Sequence, residues 1–347
     1  MPDSAAHATA LDLVDWTDGP AWDDFVASAE GGTFCHLWGW REVFGEGFGH
    51  PVHYRAAVRN GRIEGVHPLV HVRSRLFGNY LVSMPFLNYG GPLGSEPART
   101  ALADDARRLA AARGVDLLEL RSRRTLDTDL EEVHRKVTVV LPLGDDADHL
   151  FTKGLKSKVR SQVRRPMKAG MEARVGPECV DDFYGVFAEH MRDLGTPVLP
   201  RSLFHDLVRV FPDRVVFAGV YLDDRPVAGG CGFLFGDEFE ITWASSLREF
   251  NREAPNMLLY WGLMEEMVAR GVPLFNFGRC TPGGGTHRFK LQWGGDDEPL
   301  PWYQWSEDGR NATPNPDGGF GLAVRAWQKL PLPVANTLGP WLARRIP

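Results

Sequence analysis

A series of five structural elements occurs twice in the 347-residue chain, and this repeat limits the fold more than any other feature. In the first half, "HYRAAVRNGRIEGVHPLVHV" (residues 53–72) is typical of a β-hairpin with an Asn-Gly turn. A third apolar run begins at Tyr80, and an Ala- and Arg-rich stretch that closes on Gly114 predicts a helix. The stretch "VDLLELRS" then predicts a strand.

The second half has the same order. Residues 215–236 predict a hairpin around Asp-Asp-Arg, "EFEITWASS" a third strand, "EAPNMLLYWGLMEEMVARG" a helix that ends at Gly271, and "VPLFNFGR" the last strand. Two unrelated α/β domains share some of this order, but five matching elements favour a duplication. The expected fold class is α/β (α+β), with two mixed sheets flanked by helices. The expected segments are residues 1–150, a basic connecting helix over 151–174, residues 175–310, and a helical extension over 311–347.

Composition excludes several classes of protein. The net charge of −6 argues against a nucleic-acid binder by bulk charge, and 43% hydrophobic residues argue against global disorder. The first residues lack the basic and apolar regions of a signal peptide, and no run of about 20 apolar residues predicts a membrane span. The four cysteines are widely spaced and the histidines scattered, so we expect no metal site and a cytoplasmic protein with reduced thiols.

Positive charge is concentrated between the two halves. Residues 151–174 contain eight Lys or Arg residues and one Glu, a local net charge of +7. Lys156, Arg160 and Arg164 are four residues apart and would share one helix face, while Val159 and Val163 would pack inward. Pro166 is expected to end or kink this helix near Arg165. The segment is either a solvated linker or a basic arm that binds an anionic partner such as phosphate or an RNA end.

The stretch "CTPGGGTHRFKLQWGG" (residues 280–295) raises the question of a catalytic loop. Its glycines are followed by Thr-His-Arg, so it does not match a P-loop. We expect a hairpin or mobile lid that carries Phe289 and Lys290. Lys290 is either an oxyanion or phosphate ligand or a surface lysine, and His287 is either a base or a polar loop residue.

Five stretches in order resemble the FemAB-like tandem-GNAT proteins, in particular the branch associated with PEP-CTERM/exosortase exopolysaccharide loci. They are the basic segment, "LGTPVLPRSLF", "APNMLLYWGLM", "LFNFGR" and "GGGTHRFKLQWGG". The resemblance implies two GNAT-like acyltransferase domains, with the site in the second domain and the interdomain cleft. It also implies that a Phe-Lys pair, here Phe289 and Lys290, supports transfer of an acyl group. Two departures are Asn276, where relatives have Asp, and Pro166 within the basic helix.

The resemblance implies an N-acyltransferase that moves an aminoacyl or acyl group to an amine on a cell-envelope or exopolysaccharide precursor. Its co-substrate would be acyl-CoA or aminoacyl-tRNA, with no tightly bound cofactor, and its acceptor a sugar nucleotide or lipid-linked precursor. A glycine-rich pyrophosphate loop is missing before the second long helix, where Pro255 stands, which weighs against acetyl-CoA. The alternative is a non-catalytic protein that binds a sugar nucleotide or a partner in polysaccharide assembly.

The candidate residues follow from these stretches. The catalytic candidates are Lys290, Phe289 and His287, and the substrate-binding candidates are Arg160, Arg164, Asn88, Tyr89, Thr196, Pro197, Asn256, Arg279, Thr286 and Trp293. Asn256 would hold a substrate carbonyl or cap its helix, and Trp293 would belong to the core or to a sugar platform. The apolar C-terminal segment with its four basic residues would pack on the second domain or lie at the inner membrane face as a peripheral contact.

Overall fold

The computed structural model of the protein describes residues 10–309 and 321–346. The strands are β1 (Asp12–Asp15), β2 (Val52–Arg59), β3 (Arg62–Ser74), β4 (Gly78–Val82), β5 (Leu93–Gly94), β6 (Leu117–Arg121), β7 (Glu131–Pro142), β8 (Met171–Val175), β9 (Val215–Leu222), β10 (Arg225–Phe235), β11 (Glu238–Ser246), β12 (Leu274–Cys280) and β13 (Asp296–Trp305). The α-helices are α1 (Gly19–Ser28), α2 (Trp40–Glu42), α3 (Glu96–Arg113), α4 (Ala147–His149), α5 (Ser157–Lys168), α6 (Val180–Leu194), α7 (Arg201–Val210), α8 (Pro255–Ala269), α9 (Gly285–Leu291), α10 (Gly321–Gln328) and α11 (Leu332–Ala343).

The chain folds into two compact units. Unit 1 contains the described residues up to 133 together with 301–309, and unit 2 contains 134–300 together with 321–346. Each unit has a mixed sheet with helices packed on it, so the predicted fold class is confirmed. Residues 301–309 belong to unit 1 because the end of β13 pairs with β6, from Trp302 opposite Arg121 to Trp305 opposite Leu118.

The same strand order occurs in both units. In unit 1, β1, β2, β3 and β4 pair antiparallel in turn, β4 pairs parallel with β6, and β6 pairs antiparallel with β13. In unit 2, β8, β9, β10 and β11 pair antiparallel in turn, β11 pairs parallel with β12, and β12 pairs antiparallel with β7. A helix connects each parallel pair, α3 in unit 1 and α8 in unit 2. The five-element order read from the sequence therefore has the same topology in each unit.

Local sequence explains these elements. Asn60 and Gly61 both have positive φ, 52° and 75°, as the tight turn between β2 and β3 requires. Gly114 closes α3 in the left-handed conformation with φ 56°. In β10, the consecutive residues Gly229 and Gly230 point to opposite faces of the sheet, and an added Cβ would meet Phe183 of α6 and Leu259 of α8, respectively. Helices α6 and α8 therefore cover opposite faces of the unit 2 sheet.

The basic segment differs from the prediction of one helix over residues 151–174. It contains a π-helical turn (Leu150–Gly154), helix α5 and, after Gly170, the edge strand β8, which pairs with β9. The helix continues through Pro166, whose side chain is buried, and ends at Lys168, three residues beyond the expected end near Arg165. Val159 and Val163 are buried as predicted, 1% and 0% exposed.

The predicted helical extension over 311–347 lies partly outside the described residues. Within 321–346 it contains α10 and α11, both of which pack on α6.

A buried ion pair lies at the end of β6, where β6 pairs with β4 in unit 1. Glu119 and Arg121 lie on the same face of β6, and the Arg121 Nη2–Glu119 Oε1 distance is 2.7 Å. The Arg121 guanidinium also donates to the carbonyl oxygens of Met84 (2.8 Å) and Leu87 (3.0 Å), and Gln304 donates to Glu119. These bonds hold the chain after β4 against the end of β6.

Replacement of Arg121 by Met should reduce the free energy of unfolding by about 3–5 kcal/mol, because it removes the cation from beside a buried carboxylate. Urea unfolding followed by tryptophan fluorescence measures the loss. The control Arg73→Met removes an exposed guanidinium from β3 of the same unit and should change stability by less than about 0.5 kcal/mol. Equal effects of the two substitutions would contradict this role of the ion pair.

Candidate functional site

An open pocket in unit 2 lies where the two parallel strands separate. Strands β11 and β12 pair over three residues, from Glu238 opposite Leu274 to Glu240 opposite Asn276. Beyond that point β11 continues beside β10 to Ser246, while β12 continues beside β7 to Cys280. Ligand sites in open α/β sheets concentrate at the carboxyl ends of parallel strands. The divergence therefore marks this end of the sheet as the candidate site.

The pocket has a volume of about 310 Å³ and is lined from four elements of unit 2. Its lining residues are His190 from α6, Ala244, Ser245 and Ser246 from β11, Asn256 and Tyr260 from α8, and Gly285, Thr286 and Phe289 at α9. Three predicted site residues, Asn256, Thr286 and Phe289, are thus brought together. The lining combines an aromatic wall with several hydrogen-bonding side chains, a composition typical of small-molecule sites.

His190 is the titratable residue that the sequence prediction missed. Burial lowers the pKa of His190 below its usual value near 6.5, and a hydrogen bond to the Ser246 backbone opposes this shift in part. The imidazole is therefore neutral at pH 7. Its Nδ1 atom is buried and has no hydrogen-bond partner within residues 10–309 and 321–346. A neutral imidazole beside a polar pocket is suited to accept a proton.

Helix α8 begins at the pocket without a glycine-rich loop. Ala254 precedes it in the left-handed conformation, with φ 56°, and Pro255 occupies the first turn as expected. No side chain caps this end, so Asn256 does not serve as the helix cap and lines the pocket instead. Arg248, which lies shortly before this helix, donates to the Asp193 carbonyl oxygen at 2.6 Å.

Part of the glycine-rich stretch forms the short helix α9, so the expectation of a hairpin is wrong, while that of a mobile lid stays a prediction. The Gly283 N–H donates to His287 Nδ1 at 3.0 Å, and His287 Nε2 lies 2.8 Å from Asp297 Oδ1. Since Nδ1 accepts, the hydrogen of the neutral ring is at Nε2, which donates to Asp297. Arg288 also donates to the Gly283 carbonyl oxygen. Both nitrogens of His287 therefore anchor the helix, which fits a positioning role better than the predicted base.

Lys290 points into the protein beneath the pocket. Thr286 and Phe289 lie three residues apart and face the pocket, whereas His287 and Lys290, also three apart, are buried. The Lys290 Nζ atom donates to the carbonyl oxygens of Gly278 (2.6 Å) and Arg279 (2.9 Å). These carbonyls belong to a bulge in β12, where Gly278 has φ 67°. Lys290 thus supports the strand that opens the pocket, and its side chain does not line the pocket.

The electrostatics of Lys290 follow from its burial. Burial lowers its pKa to about 8, while the neighbouring Cys280 and Glu240 oppose the shift. The side chain is still mostly protonated at pH 7. Burial also raises the pKa of the Cys280 thiol, which does not fit a role as nucleophile.

Asn276, which stands where relatives have Asp, is fully engaged in the strand. Its Oδ1 accepts from the Gly278 N–H at 2.8 Å and from the Thr138 hydroxyl, and its Nδ2 donates to Glu238 Oε1 at 3.0 Å. An aspartate here would place a second carboxylate beside Glu238. The amide therefore suits a structural role at the point where β11 and β12 part.

The other predicted residues do not line the pocket. Arg160 donates to the carbonyl oxygens of Thr152 and Leu155, and the Arg164 guanidinium lies 5.0 Å from the centre of the Phe151 ring. Thr196 and Pro197 follow the end of α6, and Thr196 is exposed.

Three predicted contacts are core residues. Trp293 is 1% exposed and packs among Tyr260, Phe277 and Phe289, so it is not available as a sugar platform. Asn88 and Tyr89 belong to unit 1 and are buried, 4% and 0% exposed.

Three further properties complete the description of the described residues. Across the described residues, no group of three or more His, Cys, Asp or Glu side chains is placed to hold a metal ion. In the same part of the chain, no helix is both long and apolar enough to cross a membrane. The four cysteines are buried and unbridged.

The comparisons with known proteins agree with this geometry. Residues 157–291, which contain the pocket, match the profile of the acetyltransferase (GNAT) domain. The fold is therefore GNAT-like, and this match supports an acyltransferase. No curated protein matches the sequence.

Solved structures show the same fold over most of the chain. FemX superposes with a TM-score of 0.63 at 15% identity, covering 85% of this chain and 97% of its own. A tandem GNAT protein from the clavulanic acid biosynthesis pathway gives 0.53 at 13% identity, covering 85% and 98%. L-PGS from Bacillus licheniformis gives 0.54 at 12% identity, covering 94% and 98%. At these identities the similarity establishes the fold alone.

The replacement Lys290→Met should make the stability of the protein less dependent on pH. With a folded pKa of about 8 against 10.5, the unfolded chain binds more protons between these values, so Lys290 makes the wild type more stable as pH rises. The stability difference, wild type minus variant, should increase by about 2 kcal/mol between pH 7.5 and 9.5. Urea unfolding of both proteins at the two pH values measures it. A difference that stays constant would show that the Lys290 pKa is not lowered by folding.

Proposed function

We propose that the protein is an N-acyltransferase that uses the unit 2 pocket to transfer an aminoacyl or acyl group to an amine. The observation that carries this proposal is the neutral His190 in a polar pocket at the diverging ends of β11 and β12. The GNAT-domain match over residues 157–291 supports the reaction class.

Acyl transfer requires a base for the acceptor amine, hydrogen-bond donors to the oxyanion and a proton donor for the leaving group, and the pocket offers groups for each. The acceptor ammonium loses a proton to His190, and the free amine then attacks the donor carbonyl carbon. The oxyanion that forms accepts hydrogen bonds from the Asn256 amide and the Thr286 hydroxyl, both of which line the pocket. The nitrogen then loses its second proton to solvent, the bond from carbon to the donor oxygen or sulfur breaks, and the leaving group takes up the proton held by His190, so that the new C–N bond remains. Phe289 and Tyr260 shield the reacting carbonyl from water.

The charge distribution of unit 2 favours aminoacyl-tRNA as the donor. Helix α5 exposes Lys158, Arg164, Arg165 and Lys168 and carries no acidic residue, while its valines are buried. Exposed cations along a helix are suited to RNA phosphates. The start of α8 lacks the glycines with which a backbone approaches a pyrophosphate, which makes acyl-CoA the weaker candidate.

For the acceptor, we propose an amine on a cell-envelope or exopolysaccharide precursor, such as a sugar nucleotide or a lipid-linked intermediate. Support comes from the sequence resemblance to FemAB-like proteins. The similarity to FemX and L-PGS is consistent with this class, although it shows the fold alone.

Replacement of His190 by Gln should reduce kcat/KM for transfer about 10²- to 10⁴-fold, because it removes the base and preserves the size of the side chain. The assay follows a labelled amino acid from aminoacyl-tRNA to a UDP-linked amino sugar. In the wild type, kcat/KM should fall with decreasing pH through a pKa below 6.5, and the variant should lose this dependence. The control His205→Gln changes an exposed histidine on α7 of the same unit and should retain full activity. Equal activity of the two variants would remove His190 from the mechanism.

The substitutions Lys156→Glu, Lys158→Glu and Lys168→Glu, made together, should weaken tRNA binding roughly tenfold or more and reduce its salt dependence. Fluorescence anisotropy of labelled, deacylated tRNA measures both quantities. The matched control is Arg62→Glu, Arg73→Glu and Arg75→Glu, which reverses three exposed charges in unit 1. If the wild type does not bind tRNA, or if both triple variants bind equally, α5 is not the donor-binding surface.

A second candidate function is binding of a sugar nucleotide without catalysis. The amide of Asn276 favours it, because it cannot replace an aspartate as a general base and is held by strand contacts. Calorimetry that detects binding of a UDP-sugar, with no turnover of aminoacyl-tRNA or acyl-CoA, would support this function over transfer.

A further inference from the structure

The C-terminal helix α11 has an exposed apolar face. Val334, Leu338 and Trp341 are 41%, 46% and 51% exposed, and their spacing of four and three residues places them on one side of the helix. Arg345, one turn beyond, lies on the same side. Such a row of exposed large side chains is unusual beside the well-packed core of unit 2.

Small buried residues on the opposite face of α11 fix the outward orientation of these apolar side chains. Ala335, Gly339 and Ala343 are buried. A Cβ atom added at Gly339 would lie 2.9 Å from the Val198 backbone nitrogen, so the helix approaches the chain after α6 as closely as its backbone allows. Because the small residues are held against unit 2, Val334, Leu338 and Trp341 face outward in the folded protein.

The charge of this segment is of one sign. Residues 321–346 contain Arg325, Lys329, Arg344 and Arg345 and no acidic residue, although the whole chain has a net charge of −6. On α10, the exposed Leu322, 81% accessible, shares a helix face with the exposed Arg325, and the exposed Lys329 directly follows the helix. Helix α10 therefore repeats the combination of apolar and basic side chains found on α11.

The contact between Arg345 and the Trp341 ring is also suited to a boundary between water and an apolar phase. The Arg345 guanidinium lies 4.1 Å from the centre of the Trp341 ring. Tryptophan is enriched at the interface of a bilayer, and arginine extends its charged end toward the headgroups while its stem stays in apolar surroundings. The pair is thus suited to the headgroup level of a membrane.

We propose that α10 and α11 form a docking surface for the face of a bilayer that contains anionic lipids. Apolar side chains would enter the headgroup region, and the four basic residues would interact with lipid phosphates. The 12-residue helix α11 is too short to span a bilayer, which requires about 20 residues, so it lies on the surface. A second copy of the chain is a poorer occupant, because its own α10 and α11 would bring basic charge against basic charge. This proposal does not depend on the acyl-transfer function.

Flotation with vesicles tests the proposal on the full chain. We expect binding to vesicles of phosphatidylcholine with 30% phosphatidylglycerol and at least tenfold weaker binding to pure phosphatidylcholine. The double variant Leu338→Ser and Trp341→Ser should lose binding at least tenfold, although it keeps every charge, including those of α5. The control Leu76→Ser alters a side chain that is 70% exposed in unit 1 and should bind like the wild type.

Two further measurements keep the test decisive. Circular dichroism and the urea midpoint of unfolding should be unchanged in the double variant, which shows that it is folded; if they are changed, Leu338→Ser alone replaces it. Binding to anionic vesicles that survives the apolar substitutions would overturn the proposal, since charge elsewhere would then explain it. Absence of binding by the wild type would overturn it as well, as would a dimer in sedimentation that dissociates in the double variant.

Discussion

The pocket depends on how β12 satisfies its backbone polar groups where it leaves β11. A strand that loses its neighbour exposes carbonyl and N–H groups, and buried groups of this kind must find other partners. Lys290 donates hydrogen bonds to the Gly278 and Arg279 carbonyl oxygens, and the Asn276 side chain accepts a hydrogen bond from the Gly278 N–H. Because these bonds hold the bulge, β12 remains apart from β11 and the space between them stays open. Lys290 therefore acts on the site through the strand, as a positioning residue.

The two units share one strand topology but differ at the end of their parallel strand pairs. In unit 1, the parallel strands β4 and β6 also pair over three residues, but the Ser83 N–H donates to the Glu119 carbonyl oxygen and the Arg121 side chain holds the chain that follows β4. The ion pair of Arg121 with Glu119 lies at the end of this parallel pair of strands. Unit 2 instead places α9, with Thr286 and Phe289, beside the opening. A filled sheet end is suited to stability, and an open one to binding and chemistry.

Much of the fold follows from local sequence, whereas the site depends on tertiary contacts. The Asn60–Gly61 turn and the glycine that closes α3 were readable because they require special backbone conformations. Helix α9 was missed because two glycines precede it and a third begins it, and because His287 and Lys290, which hold it, find their partners outside the helix. Strand β8 was hidden within a basic run. His190 belongs to no motif, yet it follows Phe183, Val186 and Phe187 at helical spacing, and this inward-facing position was the available signal.

A crystal structure with a stable donor analogue tests the central claim most directly. The analogue would be an RNA minihelix whose 3′ aminoacyl ester is replaced by an amide. We predict that its carbonyl group lies between the ends of β11 and β12, within hydrogen-bonding distance of Asn256 or Thr286 and beside His190. An analogue bound with its carbonyl outside this pocket, or held by residues of unit 1 alone, would contradict the assignment of acyl transfer to the divergent strands of unit 2.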